Sequence, residues 1–294
     1  MQSTSKPSSS STTAPAFEPG RPITALVVPV VAGSLQDRVV TLTGQLAMAW
    51  ALPVRLVHVS ASVGSADVDL EDVLNGMRSW YPDLHIEGKH LYGDDAAVAI
   101  ADYAGAHVAL VMSTEHIDAW KSEDSVAEGV IGRIGVPVIL IGPKVTKAEL
   151  RDRQLDGAVV VGLDGSASAE AGFGPAVAMA KALDQHLWLI RVVPEPGEGE
   201  PLHHPEVVRY LEGRVDEVSA EVPTLWEVIQ SDDPVEAINA FAARREVSFI
   251  VASSGAMSPV EGHATISTTG GLAAIAQCPI VVVRAPEVAS LESA

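Results

Sequence analysis

The sequence contains two similar halves. The hexapeptide AMAWAL at 47–52 reappears as AMAKAL at 178–183, an offset of 131 residues (178 − 47). The segments around the two hexapeptides also follow one another in the same order. A chain of 294 residues has room for two domains of ~150 residues each. The repeat therefore predicts that one fold is built twice.

Two further pairs support the repeat. The Asp-Asp pair at 94–95 recurs at 232–233, an offset of 138, and Val136-Pro137 matches Cys278-Pro279 at an offset of 142. The offset grows along the chain, as a few loop insertions in the second half would cause. Because the order of the matches is kept throughout, chance similarity is a poor explanation.

Short apolar runs alternate with segments of helical spacing in both halves. Runs such as ITALVVPVV are typical of strands buried on both faces of a parallel sheet. Strands joined by helices imply right-handed crossovers, and such sheets bind ligands at the carboxyl ends of their strands. The sequence thus predicts an α/β protein with two tandem doubly wound five-stranded parallel-sheet domains. The predicted strands are 23–31, 54–59, 84–91, 108–112, 136–141, 158–163, 186–193, 224–229, 248–252 and 280–284.

The composition suggests where the domains begin and end. Residues 1–20 are rich in Ser, Thr and Pro and lack an apolar signal core, so a disordered tail is expected. Residues 144–156 are charged and contain no apolar run, which favours a linker. The predicted organisation is a tail at 1–20, a first domain at 21–143, a linker at 144–156, a second domain at 157–286 and a tail at 287–294.

The charge and cysteine content exclude several classes of partner. The formal net charge of −19 would repel nucleic acid and disfavours an anionic membrane surface. No apolar run approaches the ~20 residues of a membrane span. The single cysteine, Cys278, cannot form an internal disulfide, which suits a reducing compartment. A cytoplasmic location is therefore expected.

Several motifs of the second half together resemble the universal stress protein family. They are Asp164-Gly165-Ser166 after the first strand, Asp233-Pro234 before a helix, VASSG at 251–255, a serine-initiated helix at 267 and CPIVVVR at 278–284. The whole chain, from about 22 to 286, is similar to the tandem two-domain members found in actinobacteria. The resemblance implies a Rossmann-like, adenine nucleotide alpha hydrolase-like fold and a role in the stress response. It also implies that the fifth strands, 136–141 and 280–284, lie edge to edge, which would protect two apolar edges.

The resemblance also implies a nucleotide site. In the nucleotide-binding branch of the family, an Asp after the first strand contacts adenosine, and a loop of pattern Gly-x2-Gly-x9-Gly-(Ser/Thr) cradles the phosphates. Glycines let backbone N–H groups approach phosphate oxygens, and the next helix N-terminus favours an anion. Carried onto this chain, the binding residues are Asp164 at the adenosine, Val192 at the base, and Ser253, Gly255, Ser267 and Thr268 in the phosphate loop.

The two halves depart from this loop pattern to different degrees. In the second half, Ala252 and Ile266 stand at the first and third glycine positions, and Ile266 follows ten intervening residues instead of nine. In the first half, Ala32, with Val31 beside it, replaces the Asp. Met112, Glu115 and Asp124 replace the glycines there, and only Ser125 matches. Each carboxylate at ~4 Å from a phosphate costs ~1 kcal/mol in water and ~4 kcal/mol at an effective dielectric of 20. We therefore expect no ATP binding by the first half.

Three functions remain open from the sequence. The first is a nucleotide-responsive regulator that binds ATP, with Mg²⁺, in the second half only. The second is a non-nucleotide interaction module of the same fold. The third is an ATP-using enzyme of related topology, such as an adenylating or electron-transfer flavoprotein-like domain. No Gly-x-Ser-x-Gly elbow, Walker lysine or Cys-x-x-Cys is present, so no catalytic or metal-binding residue is predicted. Weak ATP hydrolysis stays open.

The partner classes follow from these hypotheses. An adenine nucleotide and a protein of unknown identity are expected, together with an internal pair of domains, and a homodimer is a further alternative. Nucleic acid and membrane are not expected.

Other conspicuous residues have structural explanations. Asp164 fits a turn as well as a ligand site, and Asp95 and Asp233 fit helix N-caps. Cys278 is expected to be a packed, inert thiol, and His58 a core histidine with its hydrogen bonds satisfied. His203-His204 lacks a second ligand pair at a recognisable spacing, so a metal site there is rejected.

Overall fold

A computed structural model describes residues 14–17, 21–30, 36–61, 70–114, 126–196, 204–254 and 268–285. Strands and helices alternate through both halves, as the apolar pattern predicts. The first half contains β1 Ala25–Val30, α1 Asp37–Trp50, β2 Val54–Ser60, α2 Leu70–Trp80, β3 Ile86–Tyr92, α3 Ala96–Ala104, β4 Val108–Ser113, α4 Val126–Ile131 and β5 Val138–Ile141.

A short helix then leads into the second half. The elements are α5 Lys147–Arg153, β6 Ala158–Gly162, α6 Ala167–Glu170, α7 Phe173–Leu183, β7 His186–Val193, α8 Pro205–Val218, β8 Thr224–Gln230, α9 Pro234–Arg244, β9 Val247–Ser254, α10 Thr268–Ile275 and β10 Ile280–Arg284. The predicted α/β class is confirmed.

The strands of the described residues form one sheet in the order β3-β2-β1-β4-β5-β10-β9-β6-β7-β8. Within each half all neighbouring strands are parallel, and β5 pairs with β10 in the antiparallel direction. The predicted edge-to-edge pairing of the fifth strands is therefore confirmed. The two predicted five-stranded sheets are joined into one.

Helices cover both faces of this sheet. The helices α1, α2, α7 and α8 pack on one face, and α3, α4, α9 and α10 pack on the other. The central strands are aliphatic and buried on both sides, which explains why they read as continuous apolar runs. At the junction between the halves, Ile139 pairs with Val281, and both side chains are fully buried.

The helix ends correct the register of the sequence repeat. The helix α1 ends at Ala51, which has the left-handed αL conformation and donates its N–H to Ala47 O. The helix α7 ends in the same way at Asp184, which donates its N–H to Ala180 O. Ala47 is thus equivalent to Ala180, an offset of 133 (180 − 47). The hexapeptide match at 131 is two residues out of register. Alternating alanines in a helix give no unique alignment, whereas a helix end does.

The other two sequence offsets agree with the structure. Asp95 and Asp233 each cap a helix by accepting hydrogen bonds from two backbone N–H groups, at an offset of 138. Pro137 and Pro279 each accept a hydrogen bond from the neighbouring strand, at Leu110 N and Ile250 N. The expectation that Asp95 and Asp233 are N-caps is confirmed.

The segment predicted as a linker contains a docked helix. Thr146 and Glu149 form a capping box at the start of α5, and Leu150 is buried against the core. The amide of Gln45 donates to Leu150 O at 2.8 Å, which attaches α5 to α1. The Thr-x-x-Glu signal was present in the sequence. The helix was not predicted because one buried leucine in a charged segment does not form an apolar run.

Part of the tail predicted as disordered is packed. Phe17 is only 9% exposed and lies in the core, and Ile23 N–H donates to Pro15 O at 3.1 Å. Because residues 1–20 are mostly Ser, Thr and Pro, their composition did not indicate that Phe17 packs in the core. The rest of 1–20, other than 14–17, lies outside the described residues.

Truncation of Ile139 to alanine tests the junction between the halves. The change removes a fully buried side chain from β5 and should lower the free energy of unfolding by about 2–5 kcal/mol. Urea unfolding followed by circular dichroism measures this. Val98→Ala, at a 38% exposed helix position, is the matched control and should change it by less than ~0.5 kcal/mol. Equal effects of the two variants would contradict the packing described.

The two aspartate caps provide a test of the equivalence of the halves. Asp95→Ala and Asp233→Ala should each destabilise the protein by about 1 kcal/mol, because each leaves two N–H groups at a helix start without their acceptor. Thermal unfolding measures both. The Asn variants retain an accepting oxygen and should lose much less. A large loss at one aspartate and none at the other would contradict equivalent caps.

Candidate functional site

A cavity of about 320 Å³ opens at the carboxyl ends of β6, β7 and β9. β6 pairs with β7 on one side and with β9 on the other, so the strand order switches direction here. Crevices at such switch points are the usual ligand sites of open parallel sheets. The lining residues are Gly162, Leu163, Asp164, Ser166, Ser168, Ala169, Ile190, Val192, Pro234, Ile238, Ile250, Val251, Ala252, Ser253, Thr268, Thr269 and Leu272.

Asp164 is held at the rim by the turn that follows β6. Its Oδ1 accepts a hydrogen bond from Ser166 N at 2.8 Å, which is the only hydrogen bond of this carboxylate among the described residues. Gly165 has a φ of 79°, a conformation that favours glycine. Ser166 Oγ then caps α6 by accepting from Ala169 N at 3.1 Å. The turn predicted for Asp-Gly is present, and it leaves the carboxylate exposed at the cavity.

The cavity has an apolar side and a hydroxyl-bearing side. Ile190 and Val192 of β7 and Ile238 of α9 supply aliphatic surface. Hydroxyl groups also line the cavity: Ser168 Oγ lies 3.4 Å from Ser253 Oγ, and Thr269 Oγ1 donates to Ser253 O at 2.9 Å. No lysine, arginine or histidine is among the described lining residues. The described lining therefore offers aliphatic surface and hydroxyl groups but no side-chain cation.

The structure brings four of the predicted site residues together. Asp164, Val192, Ser253 and Thr268 all line this cavity. Gly255 and Ser267 lie outside the described residues, as do Met257 and Ile266. Ala252, at the first glycine position of the family loop, also lines the cavity, so that position borders the site as the motif comparison predicts.

Two hydroxyl residues that line the cavity, Ser168 and Thr269, were not predicted as binding residues from the sequence. Ser168 of α6 was not selected because it lies in an alanine-rich segment without a motif. Thr269 was not among the predicted binding residues, yet its hydroxyl donates a hydrogen bond to the backbone of Ser253. The signal that could have identified Ser168 is its position one turn after Asp164, on a helix that begins at the strand end.

His58 and Arg191 are structurally equivalent at the offset of 133. His58 Nδ1 lies 3.0 Å from Val30 O, and Arg191 Nη1 donates to Leu163 O at 3.4 Å, in each case at the end of the first strand of its half. His58 is buried as expected, but its Nε2 has no hydrogen-bond partner among the described residues. The histidine is therefore only partly satisfied there.

The first half differs at the position equivalent to Ala252. Met112 lies at the end of β4 and is buried in the core, so a large side chain occupies a place where the second half has a methyl group. Val31, Ala32, Glu115, Asp124 and Ser125 lie outside the described residues. The absence of ATP binding by the first half stays a prediction.

Neither a metal cluster nor a membrane-spanning helix is found in the described part of the chain. No three His, Cys, Asp or Glu residues are grouped to hold a metal ion among those residues. His204 Nδ1 lies 3.8 Å from Glu206 Oε1 at the start of α8, and His203 is outside the described residues. None of the described helices is long and apolar enough to cross a membrane.

Cys278 is buried beside Pro279, ahead of β10. Burial raises the pKa of its thiol to about 12, because the apolar surroundings disfavour the thiolate. The thiolate, which is the reactive form, is populated only as the pH approaches that value.

The Cys278 thiol should be unreactive in the folded protein. At pH 8 only about one molecule in ten thousand carries the thiolate, so Ellman's reagent should label almost none of the native protein. After unfolding in guanidinium chloride, one thiol per chain should react. Rapid stoichiometric labelling without denaturant would contradict the burial described.

Comparison with known proteins identifies relatives of this arrangement. Residues 157–284 match the model described as the Universal stress protein family. A universal stress protein from Archaeoglobus fulgidus DSM 4304 is similar over 90% of this chain and 97% of its own, with a TM-score of 0.64 and 16% identity. A putative universal stress protein from Pseudomonas aeruginosa UCBPP-PA14 is similar over 89% of this chain and 93% of its own, with a TM-score of 0.59 and 14% identity.

A third solved structure is a universal stress protein from Archaeoglobus fulgidus in complex with dAMP. It covers 40% of this chain and 98% of its own, with 25% identity and a TM-score of 0.33. No curated protein matches this chain. The two long matches extend the likeness of fold across both halves.

Proposed function

We propose that residues 157–284, which match the model of the universal stress protein family, form a domain of that family whose cavity binds the adenosine part of an adenine nucleotide. The observation that supports this most is the meeting of Asp164, Val192, Ser253 and Thr268 around one cavity at the switch point of the sheet. These residues come from three strand ends and one helix start, far apart in sequence. Their convergence is what a nucleoside site at this position requires.

Each part of the cavity has a role in this proposal. The aliphatic surface of Ile190, Val192 and Ile238 packs against the base. The Asp164 carboxylate accepts hydrogen bonds from ribose hydroxyls, for which it has one oxygen without a partner among the described residues. The hydroxyls of Ser168 and Ser253 provide further donors at the cavity wall.

The phosphates depend on the start of α10. Thr268 is the first described residue of α10, and the N–H groups and dipole at this end of the helix favour an anion. With no cationic side chain among the described lining residues, the adenosine part provides most of the affinity, and ATP carries its own Mg²⁺. Nucleotide binding would then regulate a cytoplasmic stress response through a protein partner.

A second candidate function is an interaction module that binds no nucleotide. The observations that favour it are the net charge of −19 and the lack of a cation among the described lining residues, both unfavourable for a polyphosphate. In that case Asp164 only shapes its turn, and the fold itself is the surface that partners recognise.

Substitution of Asp164 distinguishes the two. The purified protein should release an adenine nucleotide on denaturation, detected by mass spectrometry, and should bind added ATP and Mg²⁺ in calorimetry. Asp164→Ala should weaken binding about 10- to 100-fold, since hydrogen bonds to a charged group contribute about 1.5–3 kcal/mol.

Asp216→Ala is the matched control, because Asp216 is an exposed carboxylate of α8 away from the cavity lining. It should bind ATP as the unsubstituted protein does. No released nucleotide and no binding of millimolar ATP would leave the interaction module. Equal affinity of the Asp164 and Asp216 variants would remove Asp164 from the site.

A further inference from the structure

The two edge strands of the sheet occupy equivalent positions in the two halves but carry different side chains. β3 and β8 are the edge strands, and the pairings of Val54 with Ile86 and of Leu187 with Thr224 set their correspondence at an offset of 138 (224 − 86). β3 reads IEGKHLY and β8 reads TLWEVIQ. The charged side chains at 87 and 89 of β3 therefore correspond to Leu225 and Glu227 of β8.

The β3 edge is protected against pairing by its charges. Glu87 is exposed and accepts from Arg55 Nε at 2.8 Å, and Lys89 extends over the ring of Tyr103 at 4.9 Å. Charged residues in the middle of an edge strand are a common defence against the addition of another strand, since burial would desolvate them. Such a defence is much weaker on β8.

The β8 strand itself is mostly apolar, and exposed carboxylates of Glu221, Asp232 and Asp233 flank its two ends. Leu225 is 45% exposed, and Trp226, Val228 and Ile229 are half-buried. Glu227 is the only charged residue of β8, and its carboxylate pairs with Arg245 Nη2 at 3.0 Å. A long apolar edge strand with one compensated charge is a template for strand addition.

The backbone of β8 has hydrogen-bonding groups directed outward. Leu187 N–H donates to Pro223 O, and Ser231 N–H donates to Val193 O. In a parallel pair the residues of one strand alternate between facing the partner and facing away. The odd-numbered residues of β8 therefore bond to β7, and Thr224, Trp226, Val228 and Gln230 direct N–H and C=O groups to the other side. Among the described residues, no strand pairs with β8 there.

We propose that β8 pairs in the antiparallel direction with β8 of a second copy of this chain, which continues the sheet across the interface. Such pairing is self-complementary, because the same strand serves both partners across a two-fold axis. It repeats the geometry by which β5 and β10 already join the two halves. A register centred on Glu227 is disfavoured, since it would place the two carboxylates directly opposite each other.

Size and charge make this dimer weak and reversible. A strand of seven residues spans about 23 Å, at about 3.3 Å per residue, so the interface falls in the small class below about 1,200 Å². The net charge of −19 on each copy opposes association. At physiological salt, charges more than about 8 Å apart are screened, which leaves the carboxylates that flank β8, on Glu221, Asp232 and Asp233, as the main repulsion between the copies.

Sedimentation velocity over a wide concentration range tests the proposal. The mass of the full chain should rise reversibly from one copy toward two between micromolar and millimolar protein. Leu225→Glu, which introduces the residue type of the equivalent Glu87, should remain a single copy throughout. Val98→Glu is the matched control, since it places the same charge at an exposed apolar position on α3, and it should dimerise like the unsubstituted chain. Melting curves verify that both variants fold.

Hydrogen exchange locates the interface. The amides of Thr224, Trp226, Val228 and Gln230 should gain protection as the protein is concentrated, because only they point away from β7. A chain that stays a single copy at the highest concentration would overturn the proposal. So would a dimer that survives Leu225→Glu, or one whose protected amides lie elsewhere.

Discussion

The antiparallel pairing of β5 with β10 is the interaction on which the rest of the structure depends. Each strand would otherwise be a fully apolar edge of a five-stranded sheet, with its backbone groups and side chains exposed to water. Pairing buries Ile139 and Val281 on one face of the sheet and Leu140 and Ile280 on the other, and it satisfies backbone groups of both strands together. One constraint, the removal of two apolar edges, thus joins the halves. The docked helix α5 also connects them, through Gln45 of α1 to Leu150 O and through Arg153 to Val247 O of β9.

The same sheet also determines where chemistry can occur. In the second half, β6 lies between β7 and β9, so the turn after β6 opens into a crevice instead of being covered by a helix. A small residue, Ala252, leaves that crevice open, and Asp164 stands at its rim. At the equivalent place in the first half, Met112 fills space within the core. The two halves therefore have similar strands at this place but side chains of different volume.

The halves have also diverged at the outer ends of the sheet. β3 carries exposed charge and β8 does not, although both are edge strands with equivalent neighbours. The backbones of β3 and β8 therefore have the same surroundings. Their side chains determine whether another strand can pair with that edge of the sheet. The same division holds at the first strand ends, where His58 and Arg191 make corresponding contacts with different chemical groups.

The sequence by itself determined the class of the fold and the order of its elements, because buried parallel strands require unbroken aliphatic runs and helix caps require specific side chains. The strand pairing between the halves was expected only from the resemblance to a known family. The resemblance also led to Asp164, Val192, Ser253 and Thr268, which the structure places around one cavity. Only the tertiary structure decided the register of the repeat, the docking of α5 and Phe17, and the contributions of Ser168 and Thr269. These depend on contacts between residues distant in sequence, in which one buried leucine, one aromatic ring or one hydroxyl gains its role from what it packs against. A repeat of alternating alanines, a charged segment or a serine-rich tail contains no periodic signal of such contacts.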